Sequence, residues 1–170
     1  MEVDAFIQAR MTSNRLPGKM LKKIGGYTLI EWTINSVSKI RGIRDVVVLT
    51  SYEQSDDVLV QHIEKSDLAV KIFRGPLHNV LERFTLAIEL LRPDYILRIS
   101  GDSPFVLRKI IQQEFMNIGR YDIISNLKPK TFPKGLSFEI INSGLFDLDG
   151  KSLEPDDKEH VTKFFYKNIQ

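Results

Sequence analysis

Short apolar runs at 3–8, 45–50, 69–73, 95–100 and 121–125 alternate along the chain with stretches at 28–40, 55–65, 79–91 and 107–118. In the latter, apolar residues recur every three or four positions, the spacing of an amphipathic helix, whereas the five- and six-residue apolar runs read as buried strands. Successive strands separated by helices must be joined by crossovers, and the right-handed βαβ unit is the usual solution. The pattern predicts an α/β fold of Rossmann-like, three-layer type with a mostly parallel sheet. Past residue 126 the pattern loosens: Lys128-Pro129-Lys130 and Pro133-Lys134-Gly135 are turn signals, followed by a strand at 137–141 and a helix at 156–167.

A length of 170 residues suits one domain over 1–170. Apolar residues make up 42% and charged residues 27%, a globular composition, and no run of about 18 apolar residues is present to cross a bilayer. The amino terminus lacks a basic segment ahead of an apolar one, so the expected location is cytoplasmic. The chain contains no cysteine, which excludes disulfide scaffolds, thiolate metal sites and cysteine nucleophiles. A net charge of +2 is too small to predict nucleic-acid binding, and it is compatible with a small anionic ligand.

In parallel sheets, ligands bind beyond the carboxyl ends of strands. The segment after the first run, Ala9-Arg10-Met11-Thr12-Ser13-Asn14-Arg15-Leu16-Pro17-Gly18-Lys19, holds three cations, two small hydroxyl residues, one glycine and no acid. Backbone N–H groups in such a loop can cradle phosphate oxygens, Gly18 allows close approach, and Arg10, Arg15 and Lys19 can add charge-assisted hydrogen bonds. A solvated basic loop is the alternative reading. The spacing is neither that of a Walker A loop nor that of the Gly-x-Gly-x-x-Gly dinucleotide turn. After the fourth run, Ser100-Gly101-Asp102-Ser103-Pro104 ends a strand in a tight turn with one carboxylate. Mg²⁺ takes oxygen ligands and is often held by one or two carboxylates plus substrate phosphates, so Asp102 can anchor it. Alternatively, Asp102 caps the following helix or forms an Asx-turn.

The runs Ile7-Gln8-Ala9-Arg10, Ser13-Asn14-Arg15-Leu16-Pro17-Gly18-Lys19 and Gly101-Asp102-Ser103-Pro104 together resemble the signature of the sugar cytidylyltransferases, especially the spore coat polysaccharide branch. The families that activate Kdo and sialic-type acids share that architecture. The resemblance implies a nucleotide-diphospho-sugar transferase fold and transfer of CMP from CTP to a sugar or sugar acid, with Mg²⁺ and release of pyrophosphate. It implies that Ala9, Arg10, Arg15, Gly18 and Lys19, together with Ser100 and Gly101, bind the nucleotide, that Arg10 and Lys19 act on the reacting phosphate, and that Asp102 is catalytic and holds the metal. The Phe73-Arg74-Gly75 run and the following Val80-Leu81-Glu82-Arg83 resemble the family's base-proximal segment. There Arg74, Gly75, Asn79 and Arg83 are candidates for base or ribose contacts, although Leu77-His78 replaces residues that are commonly acidic. Arg83 also reads as an ordinary helix-surface cation.

Asn126 and the Phe132-Pro133-Lys134-Gly135 turn resemble the family's acceptor-facing stretch, which makes Asn126, Lys134 and Glu139 candidate sugar contacts; Glu139 could equally face solvent. Lys158-Glu159-His160-Val161-Thr162 resembles the family's Arg-Glu-His-Val-Thr run, with a structural role for His160 as the alternative. Relatives of this kind continue for about one more strand-helix unit carrying a second metal-binding acid, which the 170 residues lack. That leaves three readings open: a fragment, a metal held by Asp102 with phosphates and water, or a domain that binds nucleotide or sugar without turnover. A truncated end would expose apolar surface that a homodimer could cover. A glycosyltransferase using a nucleotide sugar is a further alternative, but it normally needs an Asp-x-Asp pair, and none follows the fourth strand.

Overall fold

The computed structural model describes residues 1–13, 15–130, 132–133, 135–148 and 152–168. Its centre is a six-stranded sheet in the order β5-β4-β1-β6-β8-β7, built from β1 (Val3–Gln8), β4 (Ile43–Ser51), β5 (Lys71–Gly75), β6 (Tyr95–Ser100), β7 (Ile123–Ser125) and β8 (Glu139–Asn142). β1, β4, β5 and β6 run parallel, as the alternation requires, while β8 lies antiparallel between β6 and β7. The helices are α1 (Leu29–Val37), α2 (Asp57–Glu64), α3 (Val80–Leu91), α4 (Arg108–Glu114), α5 (Pro155–Glu159) and α6 (Lys163–Asn168).

Alternation along β1 sends side chains into two separate cores. Ala5 and Ile7 pack with Ile30, Ile34 and Val37 of α1, Leu59 and Ile63 of α2 and Ile111 of α4. Phe6 faces the other way, onto Leu81, Phe84 and Ala87 of α3 and Phe165 of α6. The result is the expected three layers. Helix starts follow local chemistry. Thr28 accepts from the Glu31 N–H while the Glu31 carboxylate accepts the Thr28 N–H, a reciprocal capping box, and Asn79 accepts the Glu82 N–H at the start of α3. α3 stops at Arg92, which adopts a left-handed conformation (φ 51°) just before Pro93.

Three details depart from the sequence pattern. The helix expected at 156–167 is two short helices, because the chain leaves helical geometry at His160 (φ −109°, ψ 90°). The helix expected at 107–118 tightens into a 3₁₀ turn at Phe115–Asn117. A small hairpin, β2 (Lys23–Ile24) with β3 (Tyr27–Thr28), turns through Gly25 and Gly26. Among the described residues, no helix is long and apolar enough to cross a membrane.

Candidate functional site

The chain leaves β1 toward β4 on one side and returns to β6 on the other, so the carboxyl ends of β1 and β6 form a topological switch point, where a crevice opens. A cleft of about 490 Å³ lies there, lined by Arg10, Arg15, Lys19, Arg98, Asp102 and His160 together with Thr12, Ser13, Ser100 and the end of β1. A larger hollow, about 630 Å³ at the opposite edge of the sheet, contains Asp94, Asp122 and Arg120 but gathers no comparable set of cations.

The first loop is tied at both ends. The Gly18 N–H donates to the Met11 carbonyl at 2.9 Å, closing the loop on itself, and Gly18 takes the left-handed conformation (φ 70°) that starts the 3₁₀ turn Lys19–Leu21. The Met11 N–H donates to Asp56 Oδ1 at 2.7 Å. Asp56 is fully buried, and its Oδ2 accepts from Thr50 Oγ1 (3.0 Å), the Ser51 N–H (3.1 Å) and Ser51 Oγ (2.5 Å). Burial alone would raise this carboxyl; the four donors outweigh it and hold Asp56 below the usual carboxylate range. The sequence reading did not single out Asp56. Its signal was a polar Thr50-Ser51 strand end with Ser55-Asp56 close behind, at the edge where ligands bind.

With the loop fixed, Arg10 and Arg15 are exposed at the cleft, and among the described residues neither enters an ion pair. Ala9 is buried beneath them. Lys19 reaches across the cleft to pair with Asp102, whose other oxygen accepts from Ser100 Oγ at 2.5 Å. Burial works to raise the Asp102 carboxyl, but Lys19 and Ser100 prevail and keep it below its ordinary value, so it is ionised at neutral pH. Asp102 does not cap α4: that helix begins at Arg108, with Leu107 ahead of it and no side-chain cap. Gly101 forms the floor. Its N–H donates to the Gln8 carbonyl (2.8 Å), its carbonyl accepts from Thr33 Oγ1 (2.8 Å), and a Cβ there would lie 3.0 Å from both Ala9 Cβ and the Gln8 oxygen.

The candidates near β5 are not among the residues lining this cleft and are engaged within the chain. Arg74 donates to the Ser51 and Glu53 carbonyls and pairs with Asp57 at 2.7 Å. Asn79 caps α3, and Gly75 makes room for Arg83, whose Cγ would sit 2.6 Å from an added Cβ. Arg83 is 1% exposed, far from a surface cation. Its guanidinium donates to the Pro76 and Leu77 carbonyls, and burial, with Arg10 adding repulsion, pulls it down to about 10 against the attraction of Asp56.

On the other side of β6, Arg98 and Glu139 stand opposite each other in the β6–β8 register and form an ion pair. Glu139 is buried, not solvent-facing, and its second oxygen accepts from Tyr166 Oη on α6 at 2.8 Å. Burial first, then the Glu139 charge, pushes the Tyr166 phenol up. Asn126 is likewise tied inward, donating to the Leu136 carbonyl and accepting the Phe138 N–H, which closes the neck of the 127–136 excursion. Lys134 lies outside the described residues. A side lobe of about 290 Å³, lined by Leu127, Ser137, Phe138 and Glu139, shares Arg98 and Ser100 with the main cleft. His160, which the sequence left between two readings, lines the cleft: the buried Val161 beside it anchors the break between α5 and α6 and leaves His160 exposed.

The family model described as cytidylyltransferase matches residues 5–134. The spore coat polysaccharide biosynthesis protein SpsF of Bacillus subtilis is 36% identical over 169 residues, covering 94% of this chain and 68% of that protein. A 3-deoxy-manno-octulosonate cytidylyltransferase of Hydrogenovibrio crunogenus is 31% identical over 145 residues, covering 84% of this chain and 55% of its own length. The solved structure of a cytidylyltransferase from Leptospira borgpetersenii superposes with a TM-score of 0.90 at 31% identity, covering 99% of this chain and 72% of that one.

Proposed function

Because the chain belongs to the cytidylyltransferase family, we propose that it joins CMP from CTP to a sugar or sugar acid destined for surface polysaccharide, releasing pyrophosphate. The observation that carries this reading is the cleft at the switch point, where Arg10, Arg15 and Lys19 face the ionised Asp102. A polyphosphate satisfies Arg10 and Arg15, which have no ion-pair partner among the described residues, and the acceptor approaches from the side lobe next to Arg98 and Ser100. The relatives named for spore coat polysaccharide and for 3-deoxy-manno-octulosonate support an acidic or surface-polymer sugar.

In the reaction an acceptor oxygen attacks the α-phosphorus in line, the new O–P bond forms as the bond to the β-phosphate oxygen breaks, and the acceptor proton is lost. Positioning and charge neutralisation carry such chemistry. Arg10 and Lys19 spread the charge that develops on the phosphates. The rigid floor of Ala9 and Gly101 fixes how close the nucleotide can come. His160 lines the same cleft with its Nε2 3.4 Å from Asp156 Oδ1, and the acceptor proton passes to solvent.

The described residues contain no group of three or more His, Asp or Glu side chains arranged around a metal. Asp102, an ionised oxygen ligand at the phosphate cleft, nevertheless fits Mg²⁺ held by one carboxylate with phosphates and water. When bound there, the metal supplies Lewis-acid stabilisation and a template for the phosphates. The same single carboxylate favours a second reading, a domain that binds nucleotide without turnover.

Calorimetric titration with CTP, ATP, GTP and UTP, with and without Mg²⁺, on wild type and Asp102→Ala tests the proposal. Metal-dependent, CTP-selective binding that the substitution abolishes is expected, and pyrophosphate release with a panel of sugar acids then separates turnover from binding alone. Absence of any nucleotide binding would overturn both readings.

A further inference from the structure

Each oxygen of Asp102 holds a donor: Lys19 Nζ sits on Oδ2 and Ser100 Oγ on Oδ1. The ammonium therefore neutralises the very carboxylate edge that a divalent cation would use. The backbone of Lys19 is fixed, since Gly18 is bonded to Met11 and the Lys22 N–H donates back to the Lys19 carbonyl at 3.1 Å. Beyond that backbone lies a flexible four-carbon stem, and a lysine ammonium is a point charge with rotatable donors. Arg10, Thr12, Ser13 and Arg15 line the same cleft, so the ammonium can swing from Asp102 to a phosphate bound among them without moving the loop.

We propose that Lys19 is the resident cation of Asp102, a positioning residue that keeps a divalent metal off the carboxylate until a polyphosphate draws the ammonium away. This rests on the reading of Asp102 as the metal carboxylate. A metal arriving alone must displace a contact ion pair and then sit beside a like charge, with no second acid among the described residues that line the cleft. A metal arriving with a triphosphate finds Lys19 drawn to the phosphates and Asp102 freed. Metal and nucleotide thereby favour each other's binding, and the coupling is reciprocal. The arrangement makes the metal-nucleotide complex the ligand and rejects the bare metal ion.

The test is nucleotide-free binding of Mn²⁺, with free ion counted by electron paramagnetic resonance, on wild type, Lys19→Met and Lys19→Met/Asp102→Asn. Thermal melts of each protein check folding, and Lys19→Gln, which keeps a polar side chain, is the second variant. The expected result is that the single variants bind Mn²⁺ at least about ten-fold tighter than wild type, the effect of removing a unit charge in direct contact with the ligand oxygen. The double variant should lose that gain. Equal Mn²⁺ affinity in wild type and both single variants would overturn the proposal, as would a gain that survives Asp102→Asn. CTP titrated separately distinguishes the two levels: normal CTP binding with equal Mn²⁺ affinities overturns the role of Lys19 alone, whereas the expected Mn²⁺ pattern without CTP binding overturns the release by polyphosphate and the nucleotide reading with it.

Discussion

Asp56→Asn changes the carboxylate that pins the first loop while conserving its shape. In the native protein, two oxygens accept four donors: the Met11 and Ser51 N–H groups and the Thr50 and Ser51 hydroxyls. An asparagine retains one oxygen and turns an NH₂ toward the other side. If that oxygen stays with Thr50 and Ser51, the NH₂ faces the Met11 N–H, donor against donor; flipped, it faces the Ser51 N–H. Either orientation leaves one buried backbone N–H unsatisfied, which costs about 1–3 kcal/mol, and the remaining bonds lose their charge assistance. We expect a net loss of about 3 kcal/mol, or roughly 6–12 °C in Tm for a chain of this size. Because Met11 begins the cleft loop, CTP affinity should fall in parallel.

The same variant carries a pH signature. The folded carboxyl of Asp56 is held below its ordinary value. Its contribution is therefore complete above the unfolded carboxylate range, near pH 4, and disappears as pH falls through the lower folded value. The stability gap between wild type and Asp56→Asn should be full at pH 7 and shrink below about pH 4. Urea denaturation at pH 7, 5 and 3.5 measures it. A loss under 0.5 kcal/mol at pH 7, on the order of an ordinary surface substitution, with unchanged CTP affinity would refute the assignment of Asp56 as the loop's anchor.

Three other substitutions probe separate parts of the argument. Gly101→Ala places a methyl 3.0 Å from Ala9 Cβ and the Gln8 oxygen, and overpacking of this kind costs about 1–3 kcal/mol, so lowered Tm with weakened nucleotide binding is expected in melts and calorimetry. Arg44→Met strands the fully buried Asp4, which Arg44 holds through Nε at 2.8 Å and Nη2 at 2.6 Å; breaking such a pair costs about 3 kcal/mol, read by urea denaturation, with CTP affinity unaffected because the pair lies at the opposite edge of the sheet. Glu139→Gln removes the carboxylate shared by Arg98 and Tyr166, and the buried Arg98 Nε has no hydrogen-bond partner among the described residues. A loss of about 2 kcal/mol and faster limited proteolysis at Lys163 and Lys167 on α6 are expected.

Hydrophobic period and local chemistry decided most of the fold. β1 and β6 fall where the apolar runs 3–8 and 95–100 place them, because buried parallel strands leave no choice of face and their ends are marked by polar residues. The Thr28-Glu31 capping box and the Asn79 cap were likewise written locally. The first loop and Asp102 were legible as a pair because each closes a strand at the same edge, and strand order alone brings those edges together.

The partners of each charge were decided only by the tertiary structure, since ion pairing depends on distances between segments far apart in sequence. Arg74, Arg83, Asn79 and Asn126, candidate ligand contacts in the motifs, each bond a carbonyl or amide within the chain, which the sequence does not show. Asp56 looks unremarkable in sequence, yet its burial under Met11 makes it the anchor of the site. Glu139 faces Arg98 because β8 enters antiparallel between β6 and β7, a register that periodicity does not specify. The sequence thus determined which groups could reach the carboxyl edge of the sheet; the folded chain decided which of them pair with one another, because buried charges and amides must find partners.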